Sequence, residues 1–277
     1  MANDLNTAGN SIEKEKQKRR KEKLRLLMLS VGTILVLLAL WEAVVRLGMV
    51  NAKYLCAPTT VLKTFFVKLT DAKPDGATLG IHLWTSLKLV FCGYSLAVAV
   101  GVPLGLFLSY YYTLDKLITP IFEIMRPIPP IAWIPLSLIW LGIGTTAKAF
   151  IIFVAAFVPC VINSYTGIRL TNPVLVSVAK TCGASRWEIF TTVCIPSAMP
   201  MAFTGIRVAL GNAWSTLVAA ELIAATSGLG YMIQQGRSFG RSDIIIVGMF
   251  TIGITGAALH WLVGRLENKV IQWRAER

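Results

Sequence analysis

Six apolar runs limit what this chain can become. They cover about residues 26–47, 84–110, 117–141, 147–168, 200–225 and 244–262. Each is long enough to cross the roughly 30 Å hydrocarbon core of a bilayer as a helix. The rest of the composition agrees. A chain of 277 residues that is 55% hydrophobic and 15% charged is a polytopic membrane protein, not a soluble domain. The expected fold is an all-α integral membrane protein with six transmembrane helices.

The net charge of +13 raises the question of nucleic acid. The basic residues lie mostly between or outside the apolar runs, so they orient the chain in the membrane instead. Six spans put both ends on one side. With the N-terminal arm inside, the inner segments hold 16 Lys and Arg and the outer segments seven. That excess is the positive-inside pattern, so both ends are expected in the cytoplasm. The layout is a basic cytoplasmic arm over 1–25, a transmembrane domain over 26–265 and a cytoplasmic tail over 266–277. Glu13, Glu15 and Glu22 alternate with the basic residues of the arm, which reads as solvated and partly helical. The run 26–47 is longer than a secretory signal core and is read as an uncleaved first span. After it, Val61, Leu62, Phe65, Phe66 and Leu69 share a face opposite Lys63 and Lys68, as in an interfacial helix.

The second run carries Gly101 and Gly105, a spacing that lets helices approach closely. Tyr110, Tyr111 and Tyr112 mark its water boundary. The third run is irregular. It holds Arg126-Pro127-Ile128-Pro129-Pro130-Ile131-Ala132-Trp133-Ile134-Pro135. Four prolines remove backbone donors, so the helix must kink or break. Broken backbone at membrane depth is tolerated where protein buries it or where it lines a wet cavity.

Several chemistries are missing. There is no GxxxxGK[ST] phosphate loop, no HExxH and no GxSxG. His82 and His260 are far apart, and the five cysteines form no CxxC. An enzyme, a metal site and nucleotide binding by this chain are therefore not expected. What remains is a solute path powered from outside the chain.

Apart from Lys148 at the outer edge of the fourth run, seven charges fall inside the spans: Glu42, Arg46, Lys88, Glu123, Arg126, Arg207 and Glu221. Charges at such depth face a partner or a cavity. Arg46 and Lys88 lie near span ends and can snorkel. Arg126 has two readings, a pair with Glu123 or a place in the path, and Arg207 can serve the same path. Glu221 likewise makes either a structural hydrogen bond or a solute contact. Trp214, Leu217, Val218 and Glu221 share a helical face, the first candidate for the pore lining.

Between the fourth and fifth runs lies a polar hairpin, 171–196. Asn172 or Thr171 can cap a helix that starts at Pro173. Val174, Leu175, Val178, Ala179 and Cys182 fall on one face of it, and Ser177, Lys180 and Thr181 on the other. Gly183 marks its end. Ser185 and Glu188 have capping-box spacing for a second short helix, which Pro196 is expected to help end. The hairpin either lies on the bilayer or is held by another protein.

This hairpin resembles the cytoplasmic signature of permease subunits of ABC importers: Glu-Ala-Ala, three residues, Gly, nine residues, Ile-x-Leu-Pro. Counted from Gly183, the triplet is Ser177-Val178-Ala179 and the end is Val193-Cys194-Ile195-Pro196. The glycine, the third residue of the triplet and the proline match. Ser177 and Val178 depart from the pattern, which removes any salt bridge of the glutamate. The runs 126–135, Trp140-Leu-Gly-Ile-Gly144 and Gly211-Asn-Ala-Trp-Ser-Thr-Leu-Val-Ala-Ala-Glu-Leu-Ile-Ala-Ala-Thr226 are similar to the taurine/sulfonate/nitrate branch, with taurine-type permeases nearest.

The resemblance implies a type I importer in a bacterial inner membrane, with two permease copies, two ATPase subunits that hold ATP and Mg, and an extracytoplasmic solute-binding protein. It implies that Ser177, Val178, Ala179, Lys180, Gly183, Ala184, Ser185, Arg186 and Pro196 couple the chain to its ATPase. It implies a small organic sulfonate, taurine first, with nitrate, other alkanesulfonates and pyrimidine precursors as alternatives. The competing class is a self-powered secondary transporter, which would usually show inverted repeats and more carboxylates in the membrane.

Overall fold

A computed structural model describes the backbone of residues 2–51 and 54–271, with side chains at Lys18, Lys21, Glu22, Arg25, Leu26 and from Met28 on, Ala224 apart. Residues 272–277 of the expected tail, Lys53 on the expected outer side and most side chains of the arm lie outside the described residues. All regular structure among the described residues is helical. The chain divides into two units, residues 1–64 and 65–277.

In the first unit, helix α1 runs from Ala2 to Arg46, so the expected arm and first span form one helix. Its stretch Met28–Arg46 is long and apolar enough to cross a membrane. Glu42 gathers three donors near its end. Arg46 Nε donates at 2.6 Å, and the Thr59 N–H and hydroxyl donate at 3.2 and 2.9 Å. Thr59 sits in the first turn of α2 (Pro58–Thr70), where backbone N–H groups lack helical partners and a carboxylate is favoured. Arg46, expected to snorkel alone, is thus paired.

Helix α2 corrects a second expectation. Val61, Thr64 and Lys68 are buried, at i, i+3 and i+7, whereas Leu62, Phe66 and Leu69 are exposed. Lys68 was placed on the polar, outward face. It is buried because Asp75 takes its ammonium, as do the carbonyls of Lys73 and Ala77 at 3.1 and 2.9 Å.

The second unit holds α3 (Leu79–Tyr110), α4 (Tyr112–Met125), a 3₁₀ turn (Pro130–Trp133), α5 (Ile134–Leu141), α6 (Thr145–Arg169), α7 (Pro173–Thr181), α8 (Arg186–Glu188), a π turn (Ile189–Cys194), α9 (Ile195–Ala224), α10 (Leu229–Ser238) and α11 (Ser242–Val270). With α1, five helices can each cross a membrane by length and composition, and a sixth crossing arises if α4 and the Pro130–Leu141 piece count as one broken span.

Helix α6 is the centre, packed along α3 and α9. Small residues let α3 in close. A Cβ added at Gly93 would stand 2.7 Å from the Ala149 carbonyl oxygen, and one at Gly101 2.9 Å from Cys160 Cβ. Ala97, Ala155, Ala156 and Cys160 complete a tightly closed seam. In a membrane such packing, not the hydrophobic effect, holds helices together.

The four prolines bend the third span by 86°. Pro129 is extended (φ −60°, ψ 137°), and Pro130 opens the 3₁₀ turn, where a missing N–H is harmless.

Pro196 does not end the second hairpin helix. It sits in the first turn of α9, and the π turn joins α8 directly to it. The fifth span therefore starts at the hairpin, before the expected 200. Helix α11 also runs past the expected end of its span, through Val270, and buries Glu267 against Arg207 of α9.

Candidate coupling hairpin and translocation path

The hairpin is built by local chemistry. Asn172 Oδ1 accepts from the Val174 N–H at 2.9 Å, and Pro173 occupies the first helical position. The chain leaves α7 through Gly183 at φ +82°, a conformation that suits glycine. There the Ala184 N–H reaches back to the Ala179 carbonyl at 3.0 Å, which closes the helix end. Ser185 and Glu188 form the capping box: Ser185 N–H donates to Glu188 Oε2 at 2.7 Å, and Glu188 N–H to Ser185 Oγ at 3.3 Å.

One side of the hairpin is fixed to the membrane helices. Ala179 and Ala184 pack on a cluster of Leu106, Ile168, Ile189, Phe190, Cys194 and Ala198. Phe190 is the pin, with ring centroids of Tyr110 and Phe107 at 4.6 and 5.2 Å. Tyr110 Oη also donates to the Arg186 carbonyl at 2.6 Å. The other side is open. Val174, Leu175, Val178 and Trp187 are all more than half exposed. A shallow groove of about 410 Å³ runs along Pro173, Ser177, Val178 and Thr181. Ser177, which stands in place of the signature glutamate, donates to its own helix at Pro173 O, 3.0 Å away. Lys180, Ser185 and Arg186 are exposed, whereas Ala179 and Ala184 are partly covered and Pro196 lines a second groove with Thr171, Leu175 and Thr192.

The proline break frames a cavity of about 640 Å³, lined among others by Ile121, Arg126, Trp133, Phe157 and Asn212. Arg126 has the pair with Glu123 that one of its readings expected. It lies 3.5 Å from Glu123, and it lines the cavity half exposed. Arg207 is paired with Glu267.

The expected pore face of the fifth span is turned inward. Leu217 and Glu221 are 0% and 1% exposed, Trp214 is buried, and Val218 is partly covered. Trp214 Nε1 donates to the Ile252 carbonyl at 3.1 Å. Glu221 accepts from Ser86 Oγ at 2.7 Å and from the Gly230 N–H at 2.8 Å. Within the described subunit these four side chains are thus largely covered by their own chain. The outward face of α9 is Thr204, Val208, Asn212 and Ser215, at i, i+4, i+8 and i+11.

Glu221 belongs to a buried polar network at the membrane end opposite the hairpin. Lys68 meets Asp75, and Asp75 Oδ2 stands 3.0 Å from His82 Nε2. His82 Nδ1 accepts from the Gly228 N–H at 3.1 Å, and Ser86 Oγ accepts from the Leu229 N–H at 2.9 Å. His82 and Ser86 are one turn apart on α3, so one helix face holds the loop that leads into α10. A Cβ at Gly228, at φ +125°, would fall onto the Glu221 carboxylate. The sequence reading missed Lys68, Asp75 and His82 as partners. The one available signal was His82 four residues before Ser86 near the start of an apolar helix.

Comparison with known proteins decides the family. The family described as "Binding-protein-dependent transport system inner membrane component" matches residues 101–272. The chain belongs to this family. As a permease it is 38% identical, over 90% of both chains, to the taurine transport system permease protein TauC of Escherichia coli. It is 30% identical to the putative aliphatic sulfonates transport permease protein SsuC of Bacillus subtilis, over 86% of this chain and 85% of the relative. The nitrate import permease protein NrtB of Leptolyngbya laminosa is 29% identical, with 85% of each chain covered. Among solved structures, an inward-facing MetNI methionine ABC transporter matches with a TM-score of 0.57 at 19% identity, covering 70% of this chain and 94% of that one. That likeness gives the fold of a type I ABC permease. The permease is thus a multi-pass inner-membrane transport component of an ABC importer and not an enzyme, and it falls in the taurine/sulfonate/nitrate branch. Such a permease works with an ATPase and a binding protein.

Proposed function

We propose that this permease carries a small organic sulfonate, taurine first, along a path between two copies of the chain. One observation carries the choice of solute: the E. coli taurine permease matches over 90% of both lengths, and the sulfonate and nitrate permeases match at lower identity. A sulfonate stays anionic near neutral pH and keeps its hydration, so it needs a wet path with positive charge along it. Arg126 at the proline break and the Thr204, Asn212 and Ser215 face of α9 suit that path. Selectivity rests on the solute-binding protein, so pore groups act weakly. The exposed apolar side of the hairpin, Val174, Leu175 and Val178, docks in a groove of the ATPase. This side and both chain ends face the cytoplasm. ATP and Mg bind the ATPase subunits, two per complex, and this chain holds no cofactor.

The test uses vesicles containing the permease, its ATPase and its binding protein. Labelled taurine should enter only with ATP and should be displaced by alkanesulfonates. Nitrate uptake without taurine uptake would move the permease to a nitrate solute, and uptake without ATP would sink the importer reading. In cysteine-free protein, single cysteines at Asn212 or Ser215 should cross-link two copies, and one at Leu217 should not. The reverse pattern would return the path to the inner face.

A further inference from the structure

The membrane end opposite the hairpin carries a second cavity, of about 540 Å³. It lies between the start of α6, the first turns of α3 and the Thr226–Ser227 segment. Its polar lining consists of Lys88, Thr145, Thr146, Lys148, Thr226 and Ser227, joined by Thr85, and no acidic side chain lines it.

Lys148 is the decisive residue. It is 8% exposed, and among the described residues it makes neither a hydrogen bond nor an ion pair. An ammonium that makes no protein contact of its own, at the end of a largely buried side chain, is placed to meet a ligand or counter-charge. The nearest counter-charge is Glu221, which interacts favourably with Lys148 through space. Both Glu221 oxygens are already taken, by Ser86 and Gly230. The Lys148 ammonium therefore keeps its donors for the cavity.

The surroundings add donors. Helix α6 is 25 residues long, begins at Thr145 and has no side-chain cap at Gly144, so its first N–H groups are free of helical partners beside the cavity. The hydroxyls of Thr145, Thr146, Thr226 and Ser227 make no hydrogen bond among the described residues. Lys88 stands with its ammonium 5.1 Å from the Trp84 ring centroid at the rim. Two ammonium groups, four hydroxyls and a helix N-terminus converge on a space large enough for an anion with an organic tail.

We propose that this cavity is a binding site for a small oxyanion, supplied either by the sulfonate of the solute in transit or by the phosphate of an anionic lipid headgroup. The first source rests on the sulfonate reading given above, and the second is independent of it.

The test compares Lys148→Gln, Lys88→Gln and Lys148→Arg in the full complex. Two readouts are taken: initial uptake of labelled taurine in vesicles of phosphatidylcholine with and without phosphatidylglycerol, and phosphatidylglycerol retained by the purified complex in native mass spectrometry. If the solute is the source, Lys148→Gln lowers uptake about tenfold in both lipid mixtures, Lys88→Gln lowers it less, and Lys148→Arg restores most of it. If the headgroup is the source, both glutamine variants lose retained phosphatidylglycerol, and uptake differs from wild type only where that lipid is present. Lys88 is exposed, so its variant reports even if Lys148→Gln fails to fold. Unchanged uptake and unchanged lipid retention in Lys88→Gln and in any folded Lys148→Gln overturn the proposal. A wild-type complex that transports no sulfonate refutes the choice of solute, while the lipid readout still decides the site.

Discussion

The two membrane ends of the second unit use their residues in opposite ways. At the hairpin end, apolar side chains are uncovered: Val174, Leu175, Val178 and Trp187 are exposed. At the other end, charged side chains are buried: Lys68, Asp75, His82 and Glu221 have almost no exposure. An apolar patch left in water marks a surface for a partner. Charges brought together and satisfied within one subunit mark a fixed anchor, since removing either member strands the other. The difference separates a surface open to a partner from an anchor that must not move on its own.

The strongest way to break this contrast is Asp75→Ala. It leaves the Lys68 ammonium and the His82 ring without their carboxylate, in a site closed to water. Losing one partner of a buried pair costs about 3–5 kcal/mol. Thermal unfolding of the purified complex should show a marked loss, and Lys68→Met with Asp75→Leu should recover part of it. Wild-type stability in Asp75→Ala would mean that the buried charges anchor nothing.

A smaller effect is expected at Gly183→Val. Nothing lies within 4 Å of a Cβ there, so only the backbone conformation at φ +82° is strained, by about 1–2 kcal/mol for an L-residue. The strain is confined to the exit from α7. The permease should still insert, but it should copurify with less ATPase and lose uptake. Normal copurification and normal uptake would show that the hairpin end tolerates a changed shape.

The smallest effect on stability, and the sharpest on partnership, belongs to Val178→Asp. Val178 is 55% exposed, and a surface change of this kind shifts stability by no more than about 0.5 kcal/mol. ATPase retention should fall while the unfolding temperature stays in place. Equal loss of both would assign Val178 to the core of the subunit.

The same contrast explains what could be read from the sequence. The hairpin was legible because its signals are local: Asn172 before Pro173, Gly183 at the exit, Ser185 three residues before Glu188. The broken third span was legible for the same reason, since proline acts on its own backbone. The buried network was not. Ser86 and Glu221 are 135 residues apart, and nothing within either segment states that they meet. Lys68 misled because its neighbours along α2 are apolar and a lysine there reads as solvated. The inward turn of Trp214, Leu217 and Glu221 also stayed hidden, because an amphipathic pattern in a membrane does not say which side faces protein, lipid or path. Pro196 was misread as a stop because the π turn before it left no mark in composition.

That π turn has a consequence for how the gene can vary. Within Ile189–Cys194 the chain bonds five residues back, so it carries one residue more than an α-helix of the same rise. Each residue of an α-helix turns the chain by about 100°. A residue added or lost elsewhere along α9 would swing every downstream side chain by about that angle relative to the hairpin, whereas deleting one residue between 189 and 194 would let the segment relax to α-helix and leave the rest of α9 close to its present orientation. Asn212 and Ser215 would then stay on the outward face. The π turn is therefore a place between the hairpin and Asn212 where the chain can lose one residue and still keep the outward face of α9.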